Sequence, residues 1–179
     1  MFRAIKSFLL TKDTLIVKVA RTRLVSLLKF LHGHLLSQYK SLIDIIAYDS
    51  PSAKFRFAVV YNLLSTAFNS RLLICTYTTE SLSIPSVYFL YPAASWLERE
   101  VWDLYGIFFF KHPDLRRILT DYGFNQHPLR KDFPISGYKE ISYSEKEKRI
   151  LYSTLESLQS YRTFSFNAAW LNKTAGVKN

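Results

Sequence analysis

The segment from Ser95 to Gly106, Ser-Trp-Leu-Glu-Arg-Glu-Val-Trp-Asp-Leu-Tyr-Gly, limits the possible folds more than any other part of the sequence. Leu97, Val101 and Leu104 recur at i, i+4 and i+7, which is the spacing of one face of a helix. The segment therefore predicts an amphipathic helix whose apolar face packs against the rest of the domain.

The polar residues of this helix predict how it begins, ends and pairs. Ser95 and Glu98 have the spacing of a capping box, and Gly106 stands where a left-handed C-terminal cap is expected. Arg99 and Asp103 are four residues apart, so we expect them to form an ion pair along the helix surface.

Two further patterns follow the helix. Pro113, an acid in the next position and two arginines near the far end give residues 112–119 the charge order of a short helix. Pro128 and Pro134 bias the residues before them toward extended geometry, which predicts an irregular segment over residues 121–134. A segment this rich in charged and aromatic residues buries poorly on its own, so we expect it to lie against another surface.

Upstream of residue 95 the apolar periodicity predicts mostly strands. The predicted elements are a strand at 15–19, a helix from about Arg21 with Leu24, Leu27, Leu28, Leu31 and Leu35 on one stripe, strands at 42–48, 55–63 and 72–78, and, after the helix of 95–105, a short buried strand at 107–110. This order indicates an α+β fold: a two-layer domain with a mixed β-sheet and packed helices, followed by an extended irregular C-terminal arm.

We expect three parts in the chain: an N-terminal arm (1–13), the α+β domain (14–110) and an extended C-terminal segment (111–179). In the last part, residues 142–149 are a solvated charge run. Leu151, Leu155 and Leu158 have the spacing of a final amphipathic helical turn or two.

Several motifs from Tyr91 to Tyr138 occur together and in a fixed order. They are Glu98-Arg99-Glu100, Asp103-Leu104-Tyr105, His112, Arg116, Ile118-Leu119, His127-Pro128-Leu129-Arg130-Lys131-Asp132-Phe133-Pro134 and Gly137-Tyr138. This set closely resembles the family of NADH dehydrogenase subunit 9, the 30-kDa subunit family of respiratory complex I. A looser likeness in element order reaches back to about Thr14. Gln126 departs from the family, which usually has Gly before His-Pro.

The resemblance implies a core structural and assembly subunit of the peripheral arm of proton-pumping NADH:ubiquinone oxidoreductase. Such a subunit supports electron transfer from NADH to ubiquinone without an autonomous active site. It implies no cofactor in this chain, with flavin and iron–sulfur clusters on partner subunits. The partners implied are other peripheral-arm subunits, especially the quinone-site subunit, on the matrix side of the mitochondrial inner membrane.

We expect the C-terminal segment to pack on these partner subunits. The candidate partner-binding residues are Glu98, Arg99, Glu100, Asp103, Asp114, Arg116, Arg117, His127, Arg130, Lys131 and Asp132. Acids and bases alternate among them, which suits a protein interface better than a uniform nucleic-acid track. On this basis Arg130→Glu is expected to reduce complex assembly and to leave the melting temperature of the isolated domain nearly unchanged.

Catalytic chemistry finds little support in the residues. Glu98, Glu100 and Asp103 could form an acid–base set, but no nucleophile or metal ligand accompanies them, and a salt-bridged helix face is the simpler interpretation. His32 and His34 lack a third ligand at a recognisable spacing. The sequence has no Gly-rich phosphate loop, Walker sequence or His-Glu-x-x-His motif.

Composition limits the class of protein further. Hydrophobic residues make up 49% of the chain and the formal net charge is +10. The charge points to a polyanion, a membrane surface or an acidic protein partner, or it reflects compartment and codon bias. Cys75 is the only cysteine, which excludes an internal disulfide and Cys-based zinc or iron–sulfur ligation by this chain alone. No run of about 18 apolar residues is present, so we expect no transmembrane segment.

Two alternatives stay open. Residues 1–10 are basic, free of acids and faintly amphipathic, like a transit peptide. Because the chain retains them, we expect synthesis inside the organelle in which it works. Charge and aromatic content would also suit a mitochondrial ribosomal or RNA-binding protein, whose binding would fall steeply with salt.

Overall fold

The computed structural model describes residues 5–11, 14–156, 160 and 162–164. Five strands form the main sheet: β1 (Ile5–Thr11), β2 (Thr14–Val19), β3 (Ser41–Asp49), β4 (Phe57–Ser65) and β5 (Ser70–Thr78). Their order across the sheet is β1-β2-β5-β4-β3. The β2–β5 pair is parallel and the other pairs are antiparallel, so the sheet is mixed, as predicted.

Two helices cover one face of this sheet. A single 3-10 turn, Arg21–Arg23, leads into α1 (Leu24–Gly33), and α2 is Ala94–Tyr105. Leu24 and Leu28 of α1 and Val101 of α2 belong to one buried cluster with alternate residues of the strands. The predicted two-layer α+β fold is confirmed.

The alternation in β4 places its odd-numbered residues in this core. Phe57, Val59, Tyr61 and Leu63 are all fully buried. On the reverse face of the sheet, Ile46 of β3 is half exposed. The strands predicted at 15–19, 42–48, 55–63 and 72–78 are confirmed with shifts of one or two residues at their ends.

Two local predictions at the edges of these elements are wrong. Leu35, expected on the stripe of α1, lies beyond the helix and is mostly exposed, because α1 ends at Gly33. The buried strand expected at 107–110 is shortened to β7 (Phe109–Phe110), which pairs with β6 (Ile84–Pro85). Its neighbour Phe108 and its end residue Phe110 are exposed, because only alternate side chains of the strand face the core.

The ribbon, residues 111–134, contains no helix or strand after β7. The short helix predicted over residues 112–119 is therefore wrong. The reason is local competition: the backbone N–H groups of Ile118, Leu119 and Thr120 donate to the Asp103 carboxylate of α2 rather than to carbonyl groups of a helix of their own. A tertiary contact overrides the charge pattern that favoured the helix.

The contacts of the chain divide it into two compact units between Pro134 and Ile135. The second unit contains a two-stranded hairpin, β8 (Lys139–Ser144) and β9 (Arg149–Thr154). The predicted charge run overlaps the turn of this hairpin. The helical turn predicted at Leu151 is wrong because that residue is in β9, and Leu158 is outside the described residues. The boundaries predicted at residues 13/14 and 110/111 stay predictions.

Among the helices that the structure describes, none combines the length and the apolar character needed to cross a lipid bilayer.

Candidate functional site

The candidate site is the place where the ribbon closes over the C-terminal end of α2. A helix leaves its last four carbonyl groups without partners inside the helix. Gly106 N–H donates to the Trp102 carbonyl at 2.8 Å. The predicted C-terminal cap is confirmed, since Gly106 has a φ of +75°.

The conspicuous His-Pro-Leu-Arg motif satisfies the other three carbonyls. His127 Nδ1 lies 2.9 Å from the Asp103 carbonyl, and Leu129 N–H donates to the Leu104 carbonyl at 3.1 Å. Arg130 Nε donates to the Tyr105 carbonyl at 2.7 Å. A guanidinium at this end also opposes the negative end of the helix dipole. The motif therefore completes a helix of the same chain.

Gly106 also makes room for this closure. A Cβ atom there would lie 2.6 Å from the His127 ring and would overlap the Arg130 guanidinium. The left-handed backbone would strain any L side chain besides. Gly106 is therefore required by both the turn and the packing above it.

Asp103 holds the first half of the ribbon from inside the domain. Its fully buried carboxylate accepts hydrogen bonds from Arg117 Nη1 at 2.9 Å and Thr120 Oγ1 at 2.7 Å. The three backbone N–H groups of residues 118–120 complete its shell. Burial alone would raise the pKa of Asp103, but the hydrogen bonds outweigh burial and lower its pKa to about 2.

The ion pair predicted between Arg99 and Asp103 is wrong. Asp103 pairs with Arg117 instead, and Arg99 Nε donates to the Arg116 carbonyl at 3.2 Å. The Arg99 guanidinium also stacks 4.8 Å from the centre of the Trp96 ring. Arg99 and Asp103 form hydrogen bonds with the ribbon and not with each other, because the polar backbone of the ribbon offers partners that a bare helix surface lacks.

A second set of contacts holds the end of the ribbon. Arg56 forms two hydrogen bonds with the buried Asp49 carboxylate, at 2.8 and 2.9 Å, and an ion pair with Asp132 at 2.9 Å. Asp49 also accepts the backbone N–H of Lys131 at 2.9 Å. The hydrogen bonds from Arg56, foremost, lower the pKa of Asp49 despite its burial.

Arg130 is part of the same region. Its guanidinium lies 5.3 Å from the centre of the buried Phe57 ring, and the Arg56 guanidinium lies 5.1 Å from that ring. Glu80 pairs with Arg56 at 2.6 Å and is 3.6 Å from Arg130. The expectation that a change at Arg130 leaves the stability of the domain unaffected therefore finds no support, because Arg130 is an internal contact.

Glu98 fixes the chain before α2. Its fully buried carboxylate accepts hydrogen bonds from Ser86 Oγ at 2.6 Å and Val87 N–H at 2.7 Å. Burial raises the pKa of Glu98 to about 7, although these two hydrogen bonds partly oppose the rise. The predicted capping box is wrong, because Glu98 bonds with residues 86 and 87 and the N-terminus of α2 has no side-chain cap.

His112 lies beside Glu98, with 3.9 Å between Nε2 and Oε2. Nε2 is 3.2 Å from the Ser95 carbonyl, which can only accept, and Nδ1 is 3.1 Å from the Asp114 N–H, which can only donate. Burial lowers the pKa of His112. The ring is thus satisfied as a neutral imidazole with its proton on Nε2.

The predicted site residues fall into three groups by exposure. Glu98, Arg99 and Asp103 are buried within the chain, and Arg117, His127 and Arg130 are half-buried and bonded internally. The members with exposed side chains are Glu100, Asp114, Arg116, Lys131 and Asp132. Asp114 and Arg116 pair at 2.8 Å, whereas Glu100 and the Lys131 ammonium form no ion pair with described residues.

Sequence reasoning missed three important members of this region. They are Asp49, Arg56 and Glu80, none of which carried a functional prediction. Their partners in the ribbon are at least 50 residues away in the sequence, so no local pattern signals them.

The residues that the structure describes do not fit a metal ion, and the cysteine content of the chain does not fit an iron–sulfur cluster. Such a cluster requires several cysteine ligands, and Cys75, the single cysteine, is buried in β5. Among the described residues no group of three His, Cys, Asp or Glu side chains is placed to hold a metal ion.

Residues 17–139 match the family described as respiratory-chain NADH dehydrogenase, 30 Kd subunit. The chain is 50% identical over 160 residues to NADH-ubiquinone oxidoreductase subunit 9 of Reclinomonas americana, covering 89% of this chain and 78% of the relative. It is 52% identical over 153 residues to NADH dehydrogenase (ubiquinone) iron-sulfur protein 3 of Oryza sativa subsp. japonica, covering 86% and 80%.

Two solved structures share the fold. A trypsin-resistant fragment of Nqo5 is 31% identical with a TM-score of 0.54, covering 61% of this chain and 89% of the fragment. A chain of the membrane-bound sulfane sulfur reductase, an archaeal respiratory membrane complex, has a TM-score of 0.62 at 24% identity, covering 72% of this chain and 77% of its own length. The second likeness concerns the fold alone.

Proposed function

The chain belongs to the 30-kDa subunit family of respiratory-chain NADH dehydrogenase, and from this premise we propose that the outer face of its ribbon binds the quinone-site subunit of the complex. The chain is a peripheral-arm subunit of NADH:ubiquinone oxidoreductase, as the resemblance in its motifs predicted. The proposal concerns how it is held there.

One observation carries the proposal: the ribbon is fixed from the inside while charged side chains remain on its outside. It is bonded to α2 through the side chains of His127 and Arg130, the Leu129 N–H and the Asp103 carboxylate, and to β3 through the Asp49 carboxylate. A segment without helix or strand that is fixed so thoroughly is ordered before it meets a partner. Preorganisation of this kind lowers the entropic cost of association.

We call the exposed side chains of Asp114, Arg116, Lys131 and Asp132 the outer face of the ribbon, and Glu100 is an exposed acid of the neighbouring element α2. The outer face carries both signs of charge, which suits pairing with complementary charges on a protein. Exposed apolar residues lie among the charges, with Leu119 60% exposed and Tyr122 96% exposed. Arginine and tyrosine are enriched at subunit contacts, and other charged residues lie at their polar rim. The buried candidates, Glu98, Arg99 and Asp103, act by holding the ribbon in place.

We further propose that the chain holds no redox group and works on the matrix side of the inner membrane. Some relatives are named iron-sulfur proteins, yet a single buried cysteine cannot supply the ligands of a cluster. Electron transfer would then pass through partner subunits, with this chain as a structural support.

The test is zero-length cross-linking of the intact complex, which joins a lysine to a carboxylate in direct contact. We expect Lys131 to cross-link to the quinone-site subunit, whereas Lys40, an exposed lysine outside the ribbon, serves as the control. Cross-links from Lys131 that are confined to carboxylates of its own chain would overturn the proposal.

A further inference from the structure

A cleft of about 730 Å³ lies beside α1. Lys111 is the one residue of the ribbon that lines it. One wall is the outward face of the 3-10 turn and α1, where Arg21, Val25 and Lys29 follow one another at helical spacing. The other wall is the loop before α2 with the end of β7, including Phe89 and Phe110. Its volume is within the range that encloses several side chains of a ligand.

The charge of the cleft has one sign. Arg21, Lys29 and Lys111 line it, and its lining contains no aspartate or glutamate. Within the described part of the chain, none of the three cations is in an ion pair. Arg21 Nη1 donates a hydrogen bond to the Ser83 carbonyl at 2.9 Å. The Lys111 ammonium lies 5.3 Å from the centre of the Phe110 ring.

Between these charges the lining of the cleft is mostly apolar, with the hydroxyl side chains of Thr22, Ser83 and Ser86 among the apolar residues. Phe89 is 80% exposed and Phe110 is 42% exposed, which is unusual for large aromatic side chains. Aromatic side chains that stay exposed around a cleft are typical anchors of protein interfaces. Contact with an apolar partner would remove both rings from water.

The backbone of the cleft is fixed in two places. Lys111 has a φ of +67°, a left-handed conformation that a lysine seldom adopts. Buried Glu98 holds residues 86 and 87 of the opposite wall through two hydrogen bonds. Backbone that is strained or tightly held around an open cleft is typical of sites whose walls are fixed before a ligand binds.

We propose that this cleft binds an acidic segment of a sister subunit, with an apolar side chain inserted between Phe89 and Phe110 and carboxylates facing the three cations. Charge complementarity favours this occupant over two others. A second copy of a chain with a net charge of +10 would add cations, and residues 157–179 of this chain contain no acid. The inference rests on membership of a multisubunit enzyme and is independent of the ribbon contact.

The first experiment places a photo-cross-linking phenylalanine analogue at Phe89 in the assembled complex. We expect a cross-link to a sister-subunit peptide that contains Asp or Glu beside an apolar residue. A product that contains only lipid, only a second copy of this chain or only this chain itself would overturn the proposal.

The second experiment reverses the charge of the cleft with Lys29→Glu combined with Lys111→Glu. We expect about a tenfold loss of the chain from the assembled complex on native gels, because two attractions become repulsions. The matched control is Lys40→Glu combined with Lys54→Glu, two exposed lysines outside the cleft, which should assemble normally. Equal assembly of both double variants would contradict the proposal, and a Lys131 cross-link in the same samples reports separately on the ribbon.

Discussion

Asp103 combines full burial with five hydrogen-bond donors, an arrangement that stabilises the ionised carboxylate. Its contribution to stability is present above the ordinary aspartate pKa and is lost as the pH falls toward the native pKa of about 2. The amide of an asparagine would place N–H groups against the backbone N–H groups of the ribbon.

We therefore predict that Asp103→Asn lowers the free energy of unfolding by about 2–4 kcal/mol. Chemical denaturation of the full chain measures this loss. The control is Asp114→Asn, which removes an exposed carboxylate of the ribbon and should leave the midpoint nearly unchanged. Equal midpoints for the two variants would show that the Asp103 contacts contribute little.

Gly106 offers a second test of the closure over α2. Gly106→Ala should destabilise the chain by roughly 1–3 kcal/mol, because alanine is strained at a φ of +75° and its methyl group meets His127 and Arg130. Gly33→Ala is the matched control, since no atom lies within 4 Å of a Cβ there. Thermal melting of both variants decides the matter, and a melting temperature of Gly106→Ala at or above that of Gly33→Ala would contradict the packing described.

For Glu98 we predict that the free energy of unfolding depends on pH in the opposite direction to that for Asp103. Because burial raises its native pKa from 4.5 to about 7, the native chain keeps a proton that the unfolded chain loses between these values. Stability is therefore highest below the unfolded pKa and falls as the pH rises from about 4.5 to 7, by on the order of 3 kcal/mol for a shift of this size.

Glu98→Gln should remove that slope while it keeps hydrogen bonds to Ser86 and Val87. Unfolding midpoints at several pH values between 5 and 8 measure the slope for each variant. Glu100→Gln, which changes an exposed acid on the same helix, should keep the slope of the unchanged chain. A parallel pH dependence of all three proteins would refute this role of Glu98.

The strands are the elements that depend most directly on local sequence. Alternating apolar residues predicted β4, and the odd-numbered residues are indeed buried against both helices. Val59→Asp should cost several kcal/mol and prevent stable folding at 37 °C, since it buries an unpaired charge. Ile46→Asp, on the half-exposed reverse face of β3, is the control, and similar melting temperatures for the two would mean that the buried face is misassigned.

The wrong helix prediction and the missed contacts have one physical cause, which is hydrogen bonding between residues that are distant in the sequence. The segment 112–119 has helical charge order, but the Asp103 carboxylate binds the N–H groups at 118–120 and draws the backbone out of helical geometry. Such a contact joins residues about 15 positions apart, and windows of helical periodicity do not contain it. The roles of Asp49, Arg56 and Glu80 were invisible for the same reason.

The structure also explains how Gln126 replaces the glycine that the family usually has before His-Pro. The Gln126 carbonyl accepts a hydrogen bond from Arg117 Nη1 at 2.8 Å, and its backbone does not adopt a positive φ. A residue other than glycine is therefore accommodated without strain. The family motifs predicted the family correctly, but the internal bonding of their residues required the fold.

At the scale of the whole molecule, the described residues include two different surfaces: the ribbon with charges of both signs, and the cleft with positive charges around aromatic rings. Protein contacts of both kinds are expected to persist at salt concentrations that dissociate a basic chain from RNA. The ribosomal alternative is answered by the family match, since residues 17–139 belong to the 30-kDa subunit family of respiratory-chain NADH dehydrogenase.

Comparison of two adjacent residues tests the central claim that the ribbon is held from inside and binds outward. Arg130 is bonded to Tyr105 and packs on Phe57, whereas the side chain of Lys131 is exposed and forms no ion pair with described residues. Arg130→Glu should therefore lower the melting temperature of the purified chain and also reduce its assembly.

The decisive measurement is made on Lys131→Glu, with the melting temperature of the purified full chain and the amount of assembled complex on a native gel determined for the same variant. We predict a melting temperature within about 2 °C of the unchanged chain, as expected for a surface substitution, together with a strong loss of assembled complex. Normal assembly of Lys131→Glu with full NADH:ubiquinone oxidoreductase activity would contradict the account.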